Sequence, residues 1–245
     1  MKLRSGIEGS RFLLGKLAPM IAGIALLQSA SAVVVFNDDF TGTGVLDERG
    51  PVVGSYWTST PSVDGSISLG SGAVSISGGS ASDSVAWGGF SQTLSAENPL
   101  MVVTVNVASI GTIGLSGFSL HVGNSEKFFI GYRNNQTVYS VAGNGGGVGN
   151  NGNLGSGTGE LTFTYNYNTG QVELFNPSGT KVFSKTGTAG FAFDTIRLVS
   201  GPQVAGQTKE FSVSDLNVQF IPEPSGALLG ILSFGGLLLR RRRTV

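Results

Sequence analysis

Cysteine is absent from all 245 residues, so the chain can form neither a disulfide nor a thiolate metal site, and its redox compartment stays open. Histidine occurs once, at His121 in "FSLHV". With no second imidazole a transition-metal site has no ligand set, and His121 reads as an ordinary sheet residue. Charge is scarce at 12% of residues, and the formal net charge of zero hides an asymmetry. Eight of the 15 basic residues lie in the two ends, which leaves 33–221 with seven basic against thirteen acidic residues, a net of −6. An acidic middle without a basic stripe excludes nucleic acid as a partner. No "GxSxG" elbow is present, and no strongly amphipathic helical stretch lies between the ends.

What the chain does have is marked ends. Lys2, Arg4, Arg11 and Lys16 precede the apolar run "LAPMIAGIALL" (17–27) and then "QSASA" (28–32). That order is the tripartite layout of a secretory signal peptide, and the small residues Ala30 and Ala32 predict cleavage after Ala32. At the other end, 226–239 is an uncharged run of 14 residues followed by Arg240, Arg241, Arg242 and Arg243. As a helix that run would reach about 21 Å against about 30 Å of hydrocarbon, short for a lasting span. The four arginines predict a cytoplasmic end, and the prolines at 222 and 224 stop the helix from extending backwards.

The closing "PEPSGALLGILSFGGLLLRRRR" resembles the PEP-CTERM sorting signal of certain Gram-negative bacteria, with the motif at Pro222, Glu223 and Pro224. The resemblance covers only the tail. It implies recognition by an exosortase, a membrane protease-transpeptidase, with a transient stay in the inner membrane and release to the cell surface or an exopolysaccharide matrix. The organisation expected is a signal peptide over 1–32, a β domain over 33–221 and a sorting tail over 222–245.

Between the ends, short β-branched or alternating runs are separated by Gly, Asn, Pro and Ser. Strands are expected at 33–36, 66–69, 73–77, 84–90, 101–107, 117–122, 127–132, 136–141, 160–167, 171–175, 180–184, 193–199 and 211–220. In "ELTFTYNY", Leu161, Phe163, Tyr165 and Tyr167 share one face, and Thr162, Thr164 and Asn166 the other. Asn168-Thr169-Gly170 and Asn176-Pro177-Ser178-Gly179 signal two hairpins. More than ten such strands predict an all-β, two-sheet antiparallel sandwich or jelly roll, with helix only at the two ends.

The opening "FNDDFTGTGVLDERGPVVGSYWT" (36–58) and the closing "FDTIRLVSG" and "FSVSDLNVQF" resemble the concanavalin A-like lectin/glucanase domains of bacterial surface proteins. The resemblance implies that the last strand pairs near the first. Glucanases of that fold place Glu and Asp alternately along one strand, because two carboxylates must flank the scissile bond. Glu160 and Glu173 each stand alone in this sequence, so the chain is expected not to be an enzyme and to have no catalytic residues.

Asp38, Asp39 and Asp215 lie at the two ends of the domain and are the candidate ligands for a structural Ca²⁺; read as solvated turn acids, they need no ion and no cofactor. Trp57, Trp87, Tyr132 and Tyr139 could stack on sugar, although a core position is expected for both tryptophans. The tract 143–159 contains Gly147, Gly149 and Gly152 in GxGxxG spacing but has no surrounding βαβ unit, so it reads as a mobile loop. The function expected is that of an exported polysaccharide-binding or matrix-organising module, the alternatives being a purely structural surface module or a degenerate glycan-active enzyme. Its partners would be the secretion machinery, an exosortase and exopolysaccharide.

Overall fold

The computed structural model describes residues 31–111, 115–133, 140–143, 145–152, 157–201 and 210–223. Ala30, Pro224, the apolar run 226–239, the four terminal arginines, Asn135 to Thr137 and Tyr139 lie outside the described residues. Fifteen strands are described: β1 (Val33–Asp38), β2 (Tyr56–Thr60), β3 (Ser66–Gly70), β4 (Ala73–Ser77), β5 (Ser84–Gly89), β6 (Leu100–Ile110), β7 (Ser116–Val122), β8 (Ser125–Tyr132), β9 (Ser140–Ala142), β10 (Asn150–Gly152), β11 (Gly159–Asn166), β12 (Gln171–Phe175), β13 (Lys181–Thr186), β14 (Thr195–Ser200) and β15 (Glu210–Ile221). A single 3-10 turn, Leu46–Glu48, is the only helical element among the described residues.

The strands form two sheets. Sheet A runs β13-β12-β11-β6-β15-β4-β3, with β1 also on β15, and sheet B runs β10-β9-β8-β7-β14-β5-β2. Neighbouring strands are antiparallel throughout. The first and last strands pair, as the resemblance implies: β6 occupies one edge of β15, while β4 and β1 share the other. Sharing is possible because β4 takes Glu210 to Val213 and β1 takes Leu216 to Phe220.

Alternation explains which face each sheet buries. Met101, Val103, Val105 and Val107 of β6, with Leu161, Phe163 and Tyr165 of β11, turn inward from sheet A. Phe118, Leu120, Phe128, Ile130, Ile196 and Leu198 meet them from sheet B. In β15 the buried residues Phe211, Val213, Leu216, Val218 and Phe220 break the period of two between Val213 and Leu216. A bulge at that point restores the phase; without it Leu216 and everything after it would face water.

Both expected hairpins form, β11–β12 and β12–β13. Asn166 Oδ1 accepts from the Asn168 and Thr169 amides at 3.0 and 2.9 Å, and Asn176 Oδ1 plays the same part for Ser178 and Thr180 at 3.1 and 2.9 Å. Gly170 and Gly179 close the two turns at φ +70° and +74°, which L side chains rarely adopt.

Two local expectations differ from the structure. β2 is absent from the strands expected on alternation, because "YWTST" has only one buried residue, Trp57; the Tyr-Trp-Thr of the resemblance alone implied a strand there. The tract 143–159, read as a mobile loop, contains β10, whose residues 150–152 pair with β9. Asn and Gly have poor strand propensity, and here the backbone ladder of β9 supplies what the side chains do not.

Candidate functional site on the outer face of sheet B

The three aspartates lie within reach of one another's charge but have different partners. Asp38 is fully buried, and its carboxylate serves the fold: Oδ2 accepts from Trp57 Nε1 at 2.6 Å, while Oδ1 accepts from the Phe40 amide at 2.8 Å and is paired with Arg49 Nη2. Asp39 is exposed and accepts from the Thr41 amide and hydroxyl, bonds that hold its pKa below the usual value. Asp215 is pushed up, first by partial burial and then by Asp39 and Glu160. Among the described residues no group of three or more His, Cys, Asp or Glu is placed to hold a metal ion. Pro222 and Glu223 of the tail motif follow β15 directly, and Glu223 Oε1 accepts from Asn168 Nδ2 at 3.0 Å.

A denser constellation lies elsewhere. Between the inward residues of sheet B, alternate positions face away from the core. Arg197 of β14 stands opposite Trp87 of β5 and Ser119 of β7, and Ser119 stands opposite Phe129 of β8. A bulge after Leu120 brings Glu126 opposite His121. Trp57 is in the core as expected, but Trp87 is not: it is half-buried on this outer face. Its chain neighbours Ala86 and Gly88 point the other way, where Phe36 and Trp57 leave no room for more than a small residue.

These side chains form one network. Arg197 Nε donates to Ser119 Oγ at 3.0 Å, and its Nη2 donates to Glu126 Oε2. Arg133 Nη1 donates to the other oxygen, Glu126 Oε1, at 3.0 Å. The Arg197 guanidinium carbon lies 5.4 Å from the centre of the Trp87 ring, and the His121 ring meets Trp87 edge-on at 4.7 Å. His121 Nε2 is 2.8 Å from Ser119 Oγ, and its buried Nδ1 has no hydrogen-bond partner among the described residues. At the edge, Tyr56 lies across Gly89 and remains 45% exposed. A Cβ on Gly89 would sit 2.3 Å from Tyr56 Cε1, so only glycine lets that ring lie on the sheet. Asp194 holds the frame: its two oxygens accept from the Gly123 amide at 3.0 Å each, and Oδ1 also accepts from Thr195 Oγ1.

His121 is 2% exposed, and burial, followed by the positive field of Arg197, lowers its pKa from 6.5 to about 4. Its 3.9 Å approach to Glu126 is therefore not an ion pair at neutral pH. Linkage gives the sign. Below pH 6.5 the unfolded chain takes up a proton that the folded ring refuses until about pH 4, so this group lowers stability as pH falls through that window. The loss should amount to at most about 3 kcal/mol and level off below the folded pKa. Denaturant titrations from pH 7 to 4 should show this decline in the wild type and a smaller one in His121→Asn. Equal slopes in the two proteins would show that His121 is not the group responsible.

No family model matches the chain, and no curated protein matches its sequence. Among solved structures it is similar to a sialidase at 9% identity and a TM-score of 0.50, over 66% of this chain and 16% of that one. It is similar to the Bacillus licheniformis β-glucanase at 13% identity and 0.48, over 75% and 97%. A third similar structure is the CBM2 module of the evolved Dit of Lactobacillus casei BL23 phage J-1, at 14% and 0.48, over 78% and 96%. The chain thus spans about one sixth of the sialidase's length. At such identities the likeness shows the fold alone, a two-sheet antiparallel sandwich.

The expectation that the chain is not an enzyme is corrected by the same comparison. An enzyme, the sialidase, is among the proteins that share this fold, so the fold gives no ground for excluding catalysis. The argument from sequence looked for carboxylates alternating along one strand. It did not weigh Glu126, which the fold sets on one face with His121 and Arg197 from other strands.

Proposed function

We propose that this is an exported surface or matrix protein that binds polysaccharide across the outer face of sheet B. The observation that carries the reading is the pairing of two aromatic surfaces, Trp87 and half-exposed Tyr56, with a polar network whose side chains are held in place before any ligand arrives. Flat rings stack on sugar faces while fixed polar groups meet hydroxyls, and preorganisation lowers the entropic cost of binding. The ends supply the address. Signal cleavage after Ala32 would export the sandwich, the apolar run and Arg240 to Arg243 would hold it briefly in the inner membrane, and an exosortase would process it near Pro222, Glu223 and Pro224.

One preparation tests both halves. Protein recovered from the cell surface should contain no peptide spanning Ser225 to Leu239 by mass spectrometry, and on a polysaccharide array it should bind at least one glycan. Trp87→Ala should weaken that binding by about tenfold or more, equivalent to about 1.4 kcal/mol. The same incubations, assayed for new reducing ends, report turnover. An intact tail on most surface copies would refute the sorting half, and a blank array would refute the binding half.

A further inference from the structure

We propose that the polysaccharide taken by this face is an acidic one, whose sugar carboxylates dock between Arg133 and Arg197 while a neighbouring ring stacks on Trp87. The inference rests on the glycan-binding reading above and adds the charge of the ligand to it.

The first observation is where the positive charge sits. Residues 33–221 hold only seven basic side chains against thirteen acidic ones. Arg49 is committed to Asp38, and Lys181 to Glu173. Arg133 and Arg197 are instead gathered onto the two oxygens of a single carboxylate, Glu126. Two cations therefore share one anion on the face that carries the aromatic platform.

The second observation is what those guanidiniums leave unused. Arg197 spends Nε on Ser119 and Nη2 on Glu126, and Arg133 spends Nη1 on Glu126. Among the described residues no bond is made by Arg197 Nη1 or by Arg133 Nη2. The side chains are 17% and 26% exposed, so these nitrogens belong to groups that solvent still reaches. A planar guanidinium already fixed on one side presents its remaining N–H groups in a defined direction, the geometry that carboxylates accept best.

The third observation is that burial strips water from one of the two guanidiniums. Burial depresses the pKa of Arg197 and Arg133 depresses it further, in spite of Glu126 and Asp83. His121 beside it is held neutral by burial and by Arg197. Of the other nearby carboxylates, Asp194 is engaged by the Gly123 amide and the Thr195 hydroxyl. An incoming carboxylate would supply charge-assisted bonds to a guanidinium that burial has stripped of water, whereas a neutral sugar offers only hydroxyl dipoles.

The test compares polymers that differ in charge alone. The full chain is titrated with polygalacturonate, alginate and hyaluronate, and with the methyl ester of each. At least one acidic polymer should bind about tenfold tighter than its ester at low salt, and this advantage should shrink as salt screens the contact. Arg133→Gln leaves the Arg197–Glu126 contact in place. It should remove about fivefold or more of the affinity for the acid and clearly less of that for the ester, with Arg133→Lys intermediate. Thermal melts confirm that each variant is folded. Equal binding of acid and ester, or an advantage untouched by Arg133→Gln in folded protein, would overturn this proposal while leaving glycan binding intact. No binding to any of the six polymers would overturn it as well. A neutral glycan bound on the array would then mean that the broader reading survives, and a blank array that both fail.

Discussion

Replacing Asp38 by Ala should lower the unfolding free energy by about 3–5 kcal/mol, the range for removing one partner of a buried ion pair. Three groups depend on this carboxylate. The Trp57 indole N–H would be left inside the core without an acceptor, and the Arg49 guanidinium would lose its counter-charge. The Phe40 amide would lose the bond that holds its residue at φ +50°, a left-handed conformation that costs a non-glycine residue about 1–2 kcal/mol. Asp38→Asn should cost less, because an amide oxygen can still accept from Trp57. Urea unfolding with an unchanged slope measures both. A loss under about 1 kcal/mol for Asp38→Ala would mean that the buried carboxylate is not what fastens the N-terminal segment to β2.

Phe128→Ala should cost a similar amount, about 3–5 kcal/mol. Phe128 is fully buried on β8 of sheet B, yet its ring centre lies 5.6 and 5.8 Å from those of Phe163 and Tyr165 on β11 of sheet A. It also meets Phe191 and Phe193 at 6.3 and 5.9 Å, in the segment that leads into β14. One ring thus bridges both sheets and a connection. Its loss removes buried area and leaves a cavity that four other rings cannot fill without leaving their own contacts. Phe128→Leu should retain part of the stability. If Phe128→Ala unfolds within about 1 kcal/mol of the wild type, the two sheets are held together elsewhere.

Some of this was open to a reader of the sequence and some was not. The hairpins at Asn168 to Gly170 and Asn176 to Gly179 are local: an Asn side chain folds back on amides two to four residues ahead and a glycine takes the left-handed position. The alternation of β11 is local too, and with a dozen similar runs it specifies an antiparallel sandwich. The character of the two ends is likewise a matter of composition and order along the chain.

What the sequence could not reveal depends on which strand lies beside which. Trp57 and Trp87 both sit in short strands among small and polar residues, yet one is core and the other is surface. The difference comes from what each strand faces across the sandwich, where Phe36 and Phe40 pack against Trp57. Asp38 is expected from sequence to be a solvated turn acid or a calcium ligand, and only the fold shows that it is buried, with Trp57 and Arg49, 19 and 11 residues away, against it. The candidate site shows the same limit most sharply: Arg197 reaches Ser119 and Glu126 across 78 and 71 residues of chain. Period and turn chemistry act over a few residues, so sequence alone determined the class of fold. Strand order and bulges act across the sheet, and only they decided that two arginines, a glutamate, a histidine and a tryptophan share one face.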